Sequence, residues 1–206
     1  MVELEGLVNM DSAKIEYKQI DSTLLSLYDK VPQRVYVSSY YKLEKVNRGL
    51  GGITFVETAI DPYIKDFRAD SLSFLMARLH ERFDTSNWAF FLAFDDDFPV
   101  GAAAVAARTE GVNMLEGRSD LAVLWDIRVD DNYKQQSIGQ KLFDTAASWC
   151  KQQGMTQLKV ECQNINIPAC KFYHKQGMVL RSINENAYYD EPDCRHEVQL
   201  LWYLDL

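Results

Sequence analysis

Asn166 and Tyr173 stand seven positions apart in the segment Asn166-Ile167-Pro168-Ala169-Cys170-Lys171-Phe172-Tyr173-His174-Lys175-Gln176-Gly177. In a helix that spacing is two turns, so both side chains share one face. A tyrosine hydroxyl there can serve as a general acid and give its proton to a leaving thiolate. An asparagine carboxamide can hydrogen-bond an amide of a ligand. Each has a plainer role as well, the first as a half-buried aromatic and the second as a helix N-cap. His174 sits one position off the Tyr173 face and is the weaker candidate. Upstream, Lys134-Gln135-Gln136-Ser137-Ile138-Gly139 forms a short turn that opens a helix. Its backbone N–H groups would point along the helix axis at an anion such as a phosphate. The same turn could be an ordinary strand–helix connection, but its place after a long apolar run favours the anion.

These residues need a scaffold, and the surrounding pattern supplies one. Leu121 to Val129 is almost continuously apolar, broken by Asp126 and Arg128, and reads as a strand. Gly139 to Gln153 is helical, with Ile138, Leu142, Ala146 and Cys150 at spacing four and Gly154 as the natural stop. Leu158 to Gln163 is the next strand. Strand, helix and strand in so short a stretch imply a βαβ crossover with parallel strands. Asn166 to Gln176 is a short helix with Pro168 in its first turn, where no N–H is needed. Val179 to Tyr189 and Glu197 to Leu204 read as a final antiparallel pair joined by Asp190-Glu191-Pro192-Asp193.

Before this block, Trp88 to Phe94 reads as a strand and Asp95-Asp96-Asp97-Phe98-Pro99 as a turn. Three adjacent aspartates suit a solvated hairpin tip, and no metal site is expected. Val100 to Ala107 is alanine-rich, so propensity alone favours helix; its position after a hairpin turn favours a strand. Asp70 to Phe83 carries Leu72, Leu75, Met76, Leu79 and Phe83 on one face and predicts an amphipathic helix capped by Asp70 or Ser71. Residues 1–50 are the least legible. A weak strand is expected at Ala13 to Tyr17, a helix at Asp21 to Val31 capped by Asp21 or Ser22, a strand at Arg34 to Val37, a turn at Gly49 to Gly52, and a strand at Ile53 to Thr58.

The 206 residues suit one domain, and 47% hydrophobic content can fill its core. No apolar run approaches the ~20 residues of a membrane span, and Met1-Val2-Glu3-Leu4-Glu5-Gly6 lacks the pattern of a signal peptide. Cys150, Cys162, Cys170 and Cys194 have no zinc-ligand spacing and read as reduced thiols of a cytoplasmic protein. The net charge of −8 disfavours nucleic acid. It could draw in a cationic substrate, or simply keep the protein soluble.

The stretch from Val129 through Tyr133-Lys134-Gln135-Gln136-Ser137-Ile138-Gly139-Gln140-Lys141-Leu142 resembles the coenzyme A signature of the GNAT N-acetyltransferase superfamily, Arg/Gln-x-x-Gly-x-Gly/Ala. Asn166 to Met178 resembles that family's Asn-x-x-Ala-x-x-Phe/Leu-Tyr-x-x-x-Gly-Phe, and Asp97-Phe98-Pro99-Val100-Gly101 its second hairpin. The resemblance covers roughly Ile53 to Leu206. Within the superfamily, Ile53-Thr54-Phe55-Val56-Glu57, Asp61-Pro62-Tyr63, Asp126-Ile127, Ala169 to His174 and Trp202-Tyr203-Leu204 are similar to streptothricin acetyltransferases. Two departures stand out. Lys134 replaces an arginine and loses bidentate phosphate binding, and Ser137 replaces a glycine where φ > 0 would be unfavourable. Gln135 also replaces a common glycine.

The resemblance implies an α/β (α+β) fold with a central mixed twisted sheet of about six to seven strands and about four helices. It implies a single domain over 1–206, with residues 1–50 supplying acceptor-side elements and 121–177 the acetyl-CoA core. By residue, Ile127, Arg128 and Val129 would pair their backbone with the pantetheine arm, and Lys134, Gln135, Gln136, Ser137, Ile138, Gly139 and Gln140 would surround the pyrophosphate. Asn166 would bind pantetheine, Lys171 would approach the 3′-phosphate, and Tyr173 would protonate the thiolate. The amine must lose a proton before it attacks, so a base is needed; Asp126 and Glu161 are the candidates. Each could instead be a cation's partner or a substrate-binding carboxylate. The implied activity is acetyl transfer from acetyl-CoA, with no metal, to a cationic amine such as streptothricin, a polyamine or an aminoglycoside, and so antibiotic resistance. Alternatives are a protein or peptide N-acetyltransferase, a non-catalytic acetyl-CoA sensor or interaction module, and a domain that has lost the cofactor. A homodimer is a common state for such domains.

Overall fold

The computed structural model describes residues 15–67 and 75–206. The strands are β1 (Glu16–Ile20), β2 (Arg34–Lys45), β3 (Ile53–Asp66), β4 (Ala89–Asp95), β5 (Phe98–Ala107), β6 (Leu121–Val129), β7 (Gln157–Gln163), β8 (Val179–Asn184) and β9 (Gln199–Asp205). The α-helices are α1 (Leu25–Tyr28), α2 (Ile138–Gln152) and α3 (Ile167–Lys175), joined by short 3₁₀ turns. Seven strands form one mixed sheet in the order β1-β4-β5-β6-β7-β9-β8, and β2 and β3 form a separate antiparallel arm. Every neighbouring pair in the large sheet is antiparallel except β6 and β7.

The alanine-rich segment is a strand because both of its faces are covered. Ala103, Val105 and Ala107 face the layer of α2 and α3, while Ala102, Ala104 and Ala106 face a second cluster with Leu25, Tyr28 and Trp88. Small side chains let both layers approach the sheet closely. Gly101 takes this furthest. A Cβ there would meet Ile138 Cγ2 at 2.8 Å and Leu142 Cδ1 at 3.0 Å, so its absence seats the start of α2 on β5. The apolar row Ile138, Leu142, Ala146 and Cys150 is fully buried, as its spacing predicts.

Several local expectations are corrected. Within the predicted helix Asp70–Phe83, residues 70–74 lie outside the described residues, and the rest contains a 3₁₀ turn, Met76–Glu81. Met76 and Leu79, three apart, satisfy that tighter turn as well as an α-helix. The N–H groups of Met76 and Ala77 bind the Asp29 carboxylate at 2.9 Å each. The helix expected over Asp21–Val31 is a 3₁₀ turn followed by the single turn α1, with Asp21 capping Thr23 N at 2.8 Å. The strand expected to reach Tyr189 stops at Asn184, whose side chain accepts from Asn186 N at 3.0 Å and turns the chain. β2 and β3 run much longer than their expected cores. Their ladder breaks between Val37 and Ser39, and Pro62, which has no N–H to pair, lies opposite that break.

Polar contacts moor the arm. Asn164, buried at the end of β7, donates to Tyr41 O at 2.9 Å and accepts from Val198 N at 2.8 Å. Lys65 reaches Glu197, which is 3% exposed, with bonds of 2.5 and 2.6 Å.

Candidate active site

β6 and β7 run side by side only briefly. Their register pairs Leu121 with Gln157 and ends at Leu124 with Val160. Beyond that point β6 carries a bulge. Leu124 lies opposite Val105 and Asp126 opposite Ala104, so Trp125 is the extra residue. A bulge bends its strand and sharpens the twist. The Trp125 ring is held against Phe83 and Trp88, with centroids 5.4 and 5.1 Å away. The strands therefore separate, and the edge of Ile127 to Val129 is not paired with β7.

Strand alternation then sorts the chemistry onto two faces. Leu158, Val160 and Cys162 join the cluster beneath α2 and α3, where Tyr173 also lies. Lys159 points the other way, bonding Met114 O and Glu116, so Glu161 shares that opposite face. Asp126 and Arg128 face the same way, toward α1.

Tyr173 is 5% exposed. Burial above all, with Cys162, Asp126, Cys170 and Glu161 adding to it, raises its phenol well above the usual tyrosine value. Among the described residues no hydrogen bond engages its hydroxyl. A phenol so placed keeps its proton, ready to donate. Behind it, the buried Cys162 and Cys170 sulfurs are 3.5 Å apart, and all four cysteines are free thiols.

At the start of α2 the chain turns through two left-handed residues, Gln135 (φ 63°) and Ser137 (φ 63°). Neither is glycine, so each conformation carries strain. Ser137 is the N-cap, and its carbonyl accepts from Lys141 N at 3.0 Å. The N–H groups of Ile138, Gly139 and Gln140 thus lie in the first turn, where a helix leaves donors free. Lys134 is paired with Asp131 at 2.5 Å, and the Tyr133 hydroxyl donates to Asp95 at 2.7 Å across the hairpin tip. The Asn166 side-chain oxygen caps α3 by accepting from Ala169 N at 3.2 Å, which leaves its NH₂ group as a donor. Lys171 is exposed and paired with Glu57 on β3 at 3.0 Å.

The two carboxylates differ. Asp126 accepts from Tyr28 Oη at 2.7 Å, Gln33 Nε2 at 3.0 Å and Arg128 Nε at 2.6 Å. Arg128 is itself buried, lies 5.0 Å from the Tyr28 ring centroid, and donates to Val31 O. Glu161 accepts from the Tyr188 hydroxyl and, at 3.5 Å, from Gln163. Sequence reasoning missed Tyr28, Gln33 and Tyr188 as partners, because they lie far away along the chain. Arg128 carried a signal, since two residues on in a strand returns to the face of Asp126.

β6 and β7 thus part with Tyr173 on one side and the two carboxylates on the other. Residues 56–178, more than half of the chain, match the Acetyltransferase (GNAT) family. The chain belongs to the GNAT acetyltransferase family. This acetyltransferase is 25% identical to streptothricin acetyltransferase A of Bacillus subtilis (strain 168) over 142 residues, which is 69% of this chain and 73% of that protein. Its fold matches that of a nourseothricin acetyltransferase (TM-score 0.70, 20% identity, 93% of this chain and 98% of the other). It also matches a Bacillus anthracis str. Ames protein, provisionally named a streptothricin acetyltransferase and solved in complex with acetyl coenzyme A (TM-score 0.69, 22% identity, 95% and 99%). Among the described residues no helix is long and apolar enough to cross a membrane, and no group of His, Cys, Asp and Glu is arranged to hold a metal.

Proposed function

We propose that this acetyltransferase moves an acetyl group from acetyl-CoA directly to a primary amine of a cationic small molecule, with streptothricin the first acceptor to test. The observation that carries this reading is the passage between β6 and β7, with Tyr173 on one face and Asp126 and Glu161 on the other. The relationship to streptothricin acetyltransferase A and the net charge of −8 support a cationic acceptor. One domain is the reading this supports: β1 belongs to the main sheet, and α1 and the β2–β3 arm would supply acceptor-side elements.

The residues present suit coenzyme A. The first-turn N–H groups of α2, flanked by Lys134 to Ser137, would hold the pyrophosphate. The edge of Ile127, Arg128 and Val129 would pair with the pantetheine amides as an added strand does. The Asn166 NH₂ group would add a donor, and Lys171 would balance the 3′-phosphate. Bound acetyl-CoA supplies an activated acetyl thioester. A carboxylate on the acceptor face takes one proton from the substrate ammonium, and the freed amine nitrogen bonds to the acetyl carbon as the C–S bond breaks. Tyr173 donates to the sulfur and regains a proton from the amine's second surplus, so one proton in total leaves to solvent.

The test follows CoA thiol release with streptothricin, spermidine and an aminoglycoside as acceptors. Tyr173→Phe should lower turnover by about 10²–10⁴-fold with acetyl-CoA affinity unchanged. A Phe variant with full turnover would remove Tyr173 from the chemistry. Selective stabilisation by acetyl-CoA without transfer to any of these amines would defeat the acceptor reading.

A further inference from the structure

The two carboxylates at the passage are not equivalent, and the difference assigns their roles. Asp126 is saturated. Its three donors come from α1, from the segment after it and from Arg128 on its own strand. The Asp126 and Arg128 side chains are 8% and 4% exposed. A proton placed on Asp126 would leave the Arg128 guanidinium buried without its counter-charge, which is costly. Asp126 therefore fastens α1 to β6.

Glu161 has the opposite character. Among the described residues it forms no ion pair, and both of its hydrogen bonds end on Oε1, from Tyr188 and Gln163. Among the described residues Oε2 has no partner. A proton taken up by Glu161 strands no cation, and an ammonium arriving there would be its first. Resting on the acetyl-transfer reading above, we infer that Glu161 is the carboxylate that receives the acceptor amine and its proton, and that Tyr188 is the positioning residue that fixes its orientation.

The surroundings fit this division. Tyr188 lies in the connection between β8 and β9, and burial together with the neighbouring Glu161 charge pushes its phenol far up. It therefore keeps its proton and donates it to Glu161. The other titratable groups around this pair are Cys162 on β7, Tyr173 and Cys170 on α3, Asp126 on β6, and Glu197 with its partner Lys65. Cys162 and Tyr173 both feel the Glu161 charge.

The experiment uses the full chain with streptothricin and acetyl-CoA, in wild type, Glu161→Gln, Tyr188→Phe and the double variant. A carbon-13 carboxyl titration by NMR runs in parallel on wild type and Tyr188→Phe. Glu161→Gln should lower kcat about 100-fold or more and leave the KM for acetyl-CoA unchanged. Tyr188→Phe should lower kcat about tenfold, and the double variant should be no worse than Glu161→Gln alone. A hydrogen bond to a carboxylate favours its ionised form. Its loss in Tyr188→Phe should move both the Glu161 NMR titration and the acid limb of kcat/KM to higher pH. A Glu161 titration unmoved in Tyr188→Phe, or full turnover in Glu161→Gln, overturns the assignment. The titration needs no acetyl transfer. The expected shift in Tyr188→Phe, together with a wild type that acetylates no amine, would sink the functional reading and leave the Tyr188 contact standing.

Discussion

Both faces of the sheet are packed with apolar side chains, but the face of α1 also carries a buried charged pair. On the face of α2 and α3, Ile138, Leu142, Phe143, Ala146, Leu158, Val160 and Tyr173 interlock in one apolar cluster. On the other side, Leu25, Tyr28 and Val31 join a second apolar cluster with Trp88, Phe90 and Leu92, the β2–β3 arm lays Tyr41, Leu43 and Phe55 against the first cluster, and polar contacts between distant positions add to both. Tyr28 and Gln33 reach Asp126, Lys65 reaches Glu197, and Asn164 holds Tyr41 and Val198. Apolar packing tolerates few shapes and suits a ligand that never changes. The Asp126–Arg128 pair holds α1 on β6 by charge as well as by packing.

The largest effect should come from the buried charged pair. Asp126→Ala should cost about 3–5 kcal/mol in urea unfolding, because it leaves Arg128 buried and unpaired. Replacing both residues by apolar ones, Asp126→Leu with Arg128→Met, should recover much of that loss. A single variant costing under about 1 kcal/mol would mean the pair is solvated and would dissolve the contrast between the faces. On the face of α2, Gly101→Ala forces a methyl against Ile138 and Leu142 and should cost about 1–3 kcal/mol. It should also weaken acetyl-CoA binding, read by calorimetry, since the start of α2 must move; unchanged binding would show that the helix start tolerates displacement. The smallest change should be a gain. Ser137→Gly relieves a left-handed residue and should add about 0.5–1 kcal/mol, seen as a rise in Tm of about 1–4 °C. A fall in Tm would show that the serine side chain contributes more than its backbone costs.

The same contrast governs what the sequence discloses. α2 could be read because its buried residues recur every four positions, and β6 because its apolar run starts and stops where the strand does. The left-handed backbone at Ser137 was foreseeable from the glycine it replaces. The arm was legible only in fragments, since Asn164 and Lys65 carry no periodic signal and their partners lie far off in sequence. The Trp125 bulge left no trace either, because an extra residue in an apolar strand looks like any other. Without that bulge in view, Asp126 and Glu161 read alike, and only the contacts of Arg128 and Tyr188 tell them apart.

The early parting of β6 and β7 has a consequence for traffic. If donor and acceptor approach from opposite faces, they use separate doorways, and neither has to leave before the other can arrive. Double-reciprocal plots should then intersect, with no fixed order of addition. An inhibitor built to join both halves of the reaction would then have to reach across the point where β6 and β7 part, just beside the Trp125 bulge.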